Sequence, residues 1–245
     1  MIGTGWQMKR KFLFEWFQTP KGLVLRQQET DYLRRNITVS CKQAILQIGA
    51  LGWEQDFIDC SFYTRFVIAD NKARGCEQSA KIQSTANLMP IKTESIDMVI
   101  LPHILEFERD QHHVLREVER VLKPEGKLIM ISFNPWRVFT YWQYLKNREK
   151  HDPWLGVFIR RAKIIDWLKL LNFEIETVVG FNFDINKPEP HLIESLRKKN
   201  ALFAAAYAVK AVKRRYNLIP LEPVRTRKFR LVSVGVLEPS NRSKI

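Results

Sequence analysis

Asp70 follows Gly49 by 21 residues. That is close to the ~20-residue interval at which an acidic side chain after a second strand meets the ribose of a nucleotide seated on a glycine turn. Gly49 lacks a side chain, so the turn backbone can approach a ligand there. His103 stands just after the apolar run Ile96 to Leu101, and its ordinary pKa lets it take up or release a proton near neutrality. It is the first candidate for a general base, although a histidine at a strand end can equally be a structural hydrogen-bonder. Glu106 follows in the next turn, where it can cap or pair with Arg109. His112 and His113 open a helical stretch without metal-ligand spacing and are expected to face solvent. Cys41, Cys60 and Cys76 are odd in number and lack C-x-x-C spacing, which argues for small buried hydrophobes and against disulfides or a metal centre.

These candidates need elements to hold them. Ala44 to Ile48, Arg65 to Ala69, Ile96 to Leu101, Lys127 to Phe133 and Phe173 to Val179 are short apolar or alternating runs of strand type. Val114, Leu115, Val118, Val121 and Leu122 form one helical face behind Asp110 as cap, and Glu119 with Lys123 adds an i, i+4 pair. Lys123-Pro124-Glu125-Gly126 reads as a stop and turn. Ile159 to Leu171 is a second amphipathic helix, with Asn172 placed to end it in a left-handed conformation. Strand and helix in alternation predict an α/β fold with a mostly parallel sheet, whose ligands lie at the carboxyl ends of the strands.

Composition bounds the class. With 45% hydrophobic residues over 245 positions, the chain can fill a large core, which excludes a disordered or disulfide-stapled protein. No apolar run approaches the ~20 residues that span a bilayer, and no segment of signal-peptide type follows Lys9, Arg10 and Lys11, so a cytoplasmic protein is expected. The net charge of +14 is unevenly placed. Residues 36–186 hold 19 charges of each sign, residues 1–35 hold seven basic against three acidic, and residues 187–245 hold fourteen against four. Those flanks, with Tyr207, Tyr216 and Phe229 among the cations, are compatible with weak RNA contact, with an anionic membrane surface, or with a plain solvated tail.

The run from Ile96 to Leu101, then His103-Ile104-Leu105-Glu106-Phe107, then Val114 to Gly126 resembles the central region of class I S-adenosylmethionine-dependent methyltransferases of type 11. With Leu88-Met89-Pro90 and Ser132-Phe133-Asn134-Pro135 the likeness covers roughly residues 84–135. Leu101 to Phe107, Phe133 to Trp136, Trp16 to Gly22, Asp166 to Leu171 and Ala206 to Val209 are similar to the YafS-like group of bacterial methyltransferases, across most of the chain.

The resemblance implies a Rossmann-like seven-stranded methyltransferase sheet, mostly parallel with an antiparallel final strand and helices on both faces. Ala204 to Val212 would be that strand, despite an alanine content that favours helix. It implies S-adenosylmethionine as cofactor, with Gln47, Gly49 and Ala50 in the nucleotide loop, Asp70 and Asn71 at the ribose, Thr85 and Ala86 beside the adenine, and Leu101 and Pro102 at the methionine end. His103 would be the catalytic base, and no metal is implied. The expected reaction is methyl transfer to a small or apolar acceptor. Trp136, Phe139, Tyr141, Trp142, Tyr144, Trp154, Phe181 and Phe183 would form its pocket, or else ordinary packing. The absence of an N/D-P-P-Y motif after the fourth strand argues against methylation of an exocyclic base amine.

The loop departs from the family pattern: Gln47 replaces an acid, and Leu51 and Trp53 are bulky where small residues are usual. A non-catalytic binding or scaffold protein is therefore the alternative. The expected organisation is a helical extension over 1–38, the methyltransferase-like domain over 39–220 and a basic tail over 221–245.

Overall fold

The computed structural model describes residues 13–37, 43–59, 65–70, 79–135, 158–182 and 204–215. Asn71, the three cysteines, the aromatic run from Trp136 to Trp154, Phe183, Tyr216 and Phe229 lie outside them. The described elements belong to one compact unit, Met1–Arg215.

In chain order the elements are α1 (Pro20–Asn36), β1 (Ile45–Ile48), β2 (Phe66–Asp70), β3 (Ala80–Gln83), β4 (Ile96–Pro102), α2 (Gln111–Val121), β5 (Leu122–Phe133), α3 (Arg161–Leu170), β6 (Phe173–Phe181) and β7 (Ala206–Lys213). They build a seven-stranded sheet of order β3-β2-β1-β4-β5-β7-β6. β1 to β5 pair in parallel, and β7 runs antiparallel between β5 and β6. The strand order reverses at β1 and β4, so ligands are expected outside the carboxyl ends of those two strands.

Alternation along the central strands divides the core. Leu46, Ile48, Val99, Leu101, Leu128, Met130 and Val209 face α2 and α3, while Ile45, Ile68, Met98, Ile100, Ile129 and Ala208 face α1 and the segment leading into it. Both faces are covered, which is why β1 is buried throughout and β4 is apolar without a break from Met98 to Leu101. The alanine-rich β7 is buried nearly throughout, so tertiary pairing overrides its helical propensity. The edge strand β3 alternates apolar and polar residues over only four positions and is largely exposed, so its sequence gives a weak strand signal.

Two local expectations are corrected. Lys123 to Gly126 does not end in a separate turn; it lies inside β5 as an irregularity, with Glu125 at φ +61° and a register shift opposite Ile96 and Met98. Lys123 donates to Asp97 at 2.6 Å, and Glu119 instead meets Lys213 at 2.8 Å. Asp110 caps α2 by accepting from His113 N, and Asn172 is left-handed at φ +61°, both as expected.

α1 is started by Thr19, whose Oγ1 accepts from Gly22 N, with Pro20 in the first turn. Gly22 packs against the backbone just before the helix. A Cβ there would come within 2.2 Å of Trp16 O and 2.7 Å of Phe17 Cα. Backbone cannot rotate away, so Gly22→Ala is expected to cost about 1–3 kcal/mol in urea unfolding despite alanine's better helix propensity.

Candidate functional site at the carboxyl ends of the strands

β1 ends in a tight turn. Gly49 at φ +85° and Gly52 at φ +90° adopt backbone that L side chains avoid. The chain then curls so that Leu51 and Trp53, bulky for such a loop, are buried in the core cluster that also holds Phe17 and Leu25.

The inside of this turn is filled by Glu54, a fully buried carboxylate. Glu54 Oε1 accepts from Leu51 N at 2.5 Å, Gly52 N at 3.1 Å and Gln47 Nε2 at 2.9 Å, and Oε2 accepts again from Gly52 N at 3.1 Å. Gln47 also donates to Gly49 O at 3.0 Å. Gln47 Oε1 is buried with no hydrogen-bond partner among the described residues. The missing acid at position 47 thus reappears seven residues later on the far side of the turn. That exchange, Gln for acid at 47 with Glu at 54, was the available sequence signal.

The other predicted residues lie along the same edge. Asp70 ends β2 beside Gln83 of β3, and its carbonyl accepts from Ser84 N. Thr85 is exposed, Ala86 is buried beneath it, and Thr85 bridges to Leu88. Ala50, Leu101 and Pro102 are buried; Leu101 pairs with Met130 and Pro102 with Ile131. Asn71 is outside the described residues.

His103 directly follows β4 and is fully buried, with a left-handed φ of +49° anchored by its N–H to Ile131 O at 2.9 Å. Such backbone costs about 1–3 kcal/mol and marks a position fixed by its surroundings. Its Nε2 lies 3.1 Å and 3.2 Å from the two carboxyl oxygens of Glu29 in α1, and its Nδ1 lies 3.5 Å from Glu106 Oε1. Burial alone would push this imidazole down, but the charge of Glu29, followed by the contacts with Glu106, raises it to about 9. At neutral pH it is an imidazolium with no lone pair for an incoming proton.

Glu106 is turned inward, accepting from Phe133 N at 2.7 Å. No sequence motif marks Glu29. Its signal is position, since it shares the buried stripe of α1 with Gly22, Leu25, Tyr32 and Leu33 at helical spacing.

Aromatic rings close over this cluster. Phe133 lies 4.2 Å from the His103 ring and Phe17 lies 5.6 Å from it, Phe17 meets Trp53 edge-on at 5.1 Å, and Trp16 and Phe158 meet Phe133 at 5.7 and 6.3 Å. His112, expected to face solvent, is exposed but lies against Trp167 at 3.8 Å.

A thioether nucleoside with an amino acid tail needs a carboxylate for its ribose diol, an apolar slot for adenine, an acceptor for its ammonium and donors for its carboxylate. Asp70, Ala86 and the unpartnered Gln47 Oε1 suit the first three. The loop amides that suit the fourth are already engaged by Glu54. The residues present therefore fit the cofactor over its nucleoside and ammonium, and not over its carboxylate.

Part of the basic flank belongs to the fold. Lys210 pairs with Glu176, Lys213 with Glu119, Arg214 with Glu174 and Glu125, and Arg215 with Glu94. Among the described residues, no helix is long and apolar enough to cross a membrane.

Residues 52–130 match the Methyltransferase domain family. The chain is 28% identical over 160 residues to the protein YafS of Escherichia coli (strain K12), covering 65% of each. It is 26% identical over 126 residues to demethylmenaquinone methyltransferase of Chlamydia pneumoniae, covering 51% of this chain and 50% of that one. The matched region is thus less than two thirds of either relative's length. A solved SAM-dependent methyltransferase from Thermotoga maritima superposes with a TM-score of 0.60 at 19% identity, covering 85% of this chain and 99% of its own, which is a likeness of fold.

Proposed function

We propose that the chain is a class I S-adenosylmethionine-dependent methyltransferase that transfers a methyl group from S-adenosylmethionine to a small or apolar acceptor, a reading supported by the family match over residues 52–130, the similarity to YafS and the likeness of fold. The observation that carries the reading is the placement of Asp70 at the end of β2 beside the glycine turn that ends β1. Asp70 would accept from the ribose hydroxyls, Ala86 and Thr85 would border the adenine, and Gln47 Oε1 with the Leu101 region would take the ammonium. The bound cofactor supplies an electrophilic methyl on a sulfonium, and the chain's task is alignment.

The apolar acceptor is supported by Phe17, Trp53, Phe133 and Phe158 around His103, and by one relative whose name specifies a quinone-type substrate. Held between two carboxyl groups, His103 suits a positioning role better than the proton-accepting role its place after β4 suggests. A contribution from it as base would require deprotonation near pH 9.

Calorimetric titration with S-adenosylhomocysteine tests the reading. Micromolar binding is expected, weakened about 10- to 100-fold in Asp70→Ala, as for loss of a charge-assisted hydrogen bond. A folded wild-type protein that binds none of it favours the binding-protein alternative. The Glu54-filled loop is what keeps that alternative in view. Its contact with RNA or an anionic surface would fall to basic residues other than 210–215, whose cations are engaged within the fold.

A further inference from the structure

The Glu54 carboxylate accepts from the backbone N–H groups that a glycine turn can offer to an anion. Backbone N–H groups converging in such a turn form an anion cradle, and a cradle holds one anion at a time. Here Leu51 N and Gly52 N both point at Glu54, and Gln47 Nε2 closes the third side. Gly52 has open space where a Cβ would stand, so its positive φ serves the direction of its N–H, not the relief of crowding.

We propose that Glu54 is a built-in substitute for the cofactor's carboxylate, so that this site holds the nucleoside and ammonium of S-adenosylmethionine and gains nothing from its carboxylate. This rests on the cofactor reading above. A second carboxylate brought to the same amides would meet a buried like charge without free donors, a juxtaposition that disfavours binding strongly. The ammonium meets the opposite situation, since Gln47 Oε1 is an acceptor without a partner among the described residues. The site should therefore discriminate among thioether nucleosides in an unusual order: amine present and carboxylate absent first, both present second.

The test uses the full chain and three ligands by calorimetry: S-adenosylhomocysteine, its decarboxylated analogue, and 5′-methylthioadenosine, which lacks the whole tail. The decarboxylated analogue is expected to bind the wild type about tenfold or more tighter than S-adenosylhomocysteine. In Glu54→Gln, which removes the charge and keeps the size, that preference should shrink or reverse while the affinity for 5′-methylthioadenosine stays within about twofold. The wild-type comparison does not depend on the variant folding. S-adenosylhomocysteine binding the wild type more tightly than the decarboxylated analogue overturns the proposal while leaving the cofactor reading intact. An equal loss of all three ligands in a folded Glu54→Gln protein also overturns it, because Glu54 would then merely shape the loop. Binding of none of them to the wild type removes both.

Discussion

His103→Ala is expected to destabilise the fold by about 3–5 kcal/mol, read as a lower urea midpoint at neutral pH. The side chain is the cation between Glu29 and Glu106, and all three groups are buried. Its removal leaves two carboxyl groups without the charge that justifies their burial. One oxygen of Glu106 is already without a hydrogen-bond partner among the described residues, so the cluster has no reserve. Adding Glu29→Gln to the alanine variant should recover part of the loss, because one buried charge is then removed with its partner. An alanine variant within about 1 kcal/mol of wild type would mean that the three groups are not coupled.

The same cluster sets a pH dependence whose sign is fixed. The folded-state pKa of His103, about 9, lies above the 6.5 of an unperturbed histidine. Protonation therefore stabilises the folded state fully below pH 6.5, less and less between 6.5 and 9, and not at all above 9. A difference of that size corresponds to roughly 3 kcal/mol. Unfolding measured across this window should show wild-type stability falling with rising pH and a His103→Ala variant lacking that slope. Because Glu29 belongs to α1, the amides of α1 should lose hydrogen-exchange protection first as the pH rises.

Phe17→Ala by itself should cost about 3–5 kcal/mol. The ring is fully buried, touching Trp53, His103 and Phe133, and it joins the segment before α1 to the ends of β1, β4 and β5. Phe133 in β5 and His103 directly after β4 are held by the sheet and cannot collapse into the space left behind. The resulting apolar cavity should be dry and should accept a small aromatic molecule, so benzene is expected to raise the melting temperature of the variant and not of the wild type. A variant that is destabilised without any effect of benzene would show that α1 detaches and the space is never formed. The cavity would stand over His103, where the proposed acceptor has to lie, so the same experiment reports whether the N-terminal segment covers that face.

The strands β1, β2, β4 and β5, the helices α2 and α3, the cap at Asp110 and the left-handed Asn172 are local features, and period and capping chemistry made them legible in the sequence. Gly49 and Asp70 could be placed together because their interval follows from one strand, one connection and the next strand. Other features depend on residues distant in sequence, and only the tertiary structure decided them. β3 is too short to declare itself, and the alanine-rich β7, marked as a strand by the family resemblance and not by its own propensity, is a strand because β5 and β6 pair with it. Its sequence neighbours alone make His103 a candidate base. α1 brings Glu29 across 74 positions to its buried ring, and that contact raises its pKa to about 9. Lys213 and Arg214, read in sequence as part of a basic flank, meet Glu119, Glu125 and Glu174 across the sheet. A pKa or an ion pair belongs to the neighbours a side chain finally has, and a single sequence names the residues without saying which will meet.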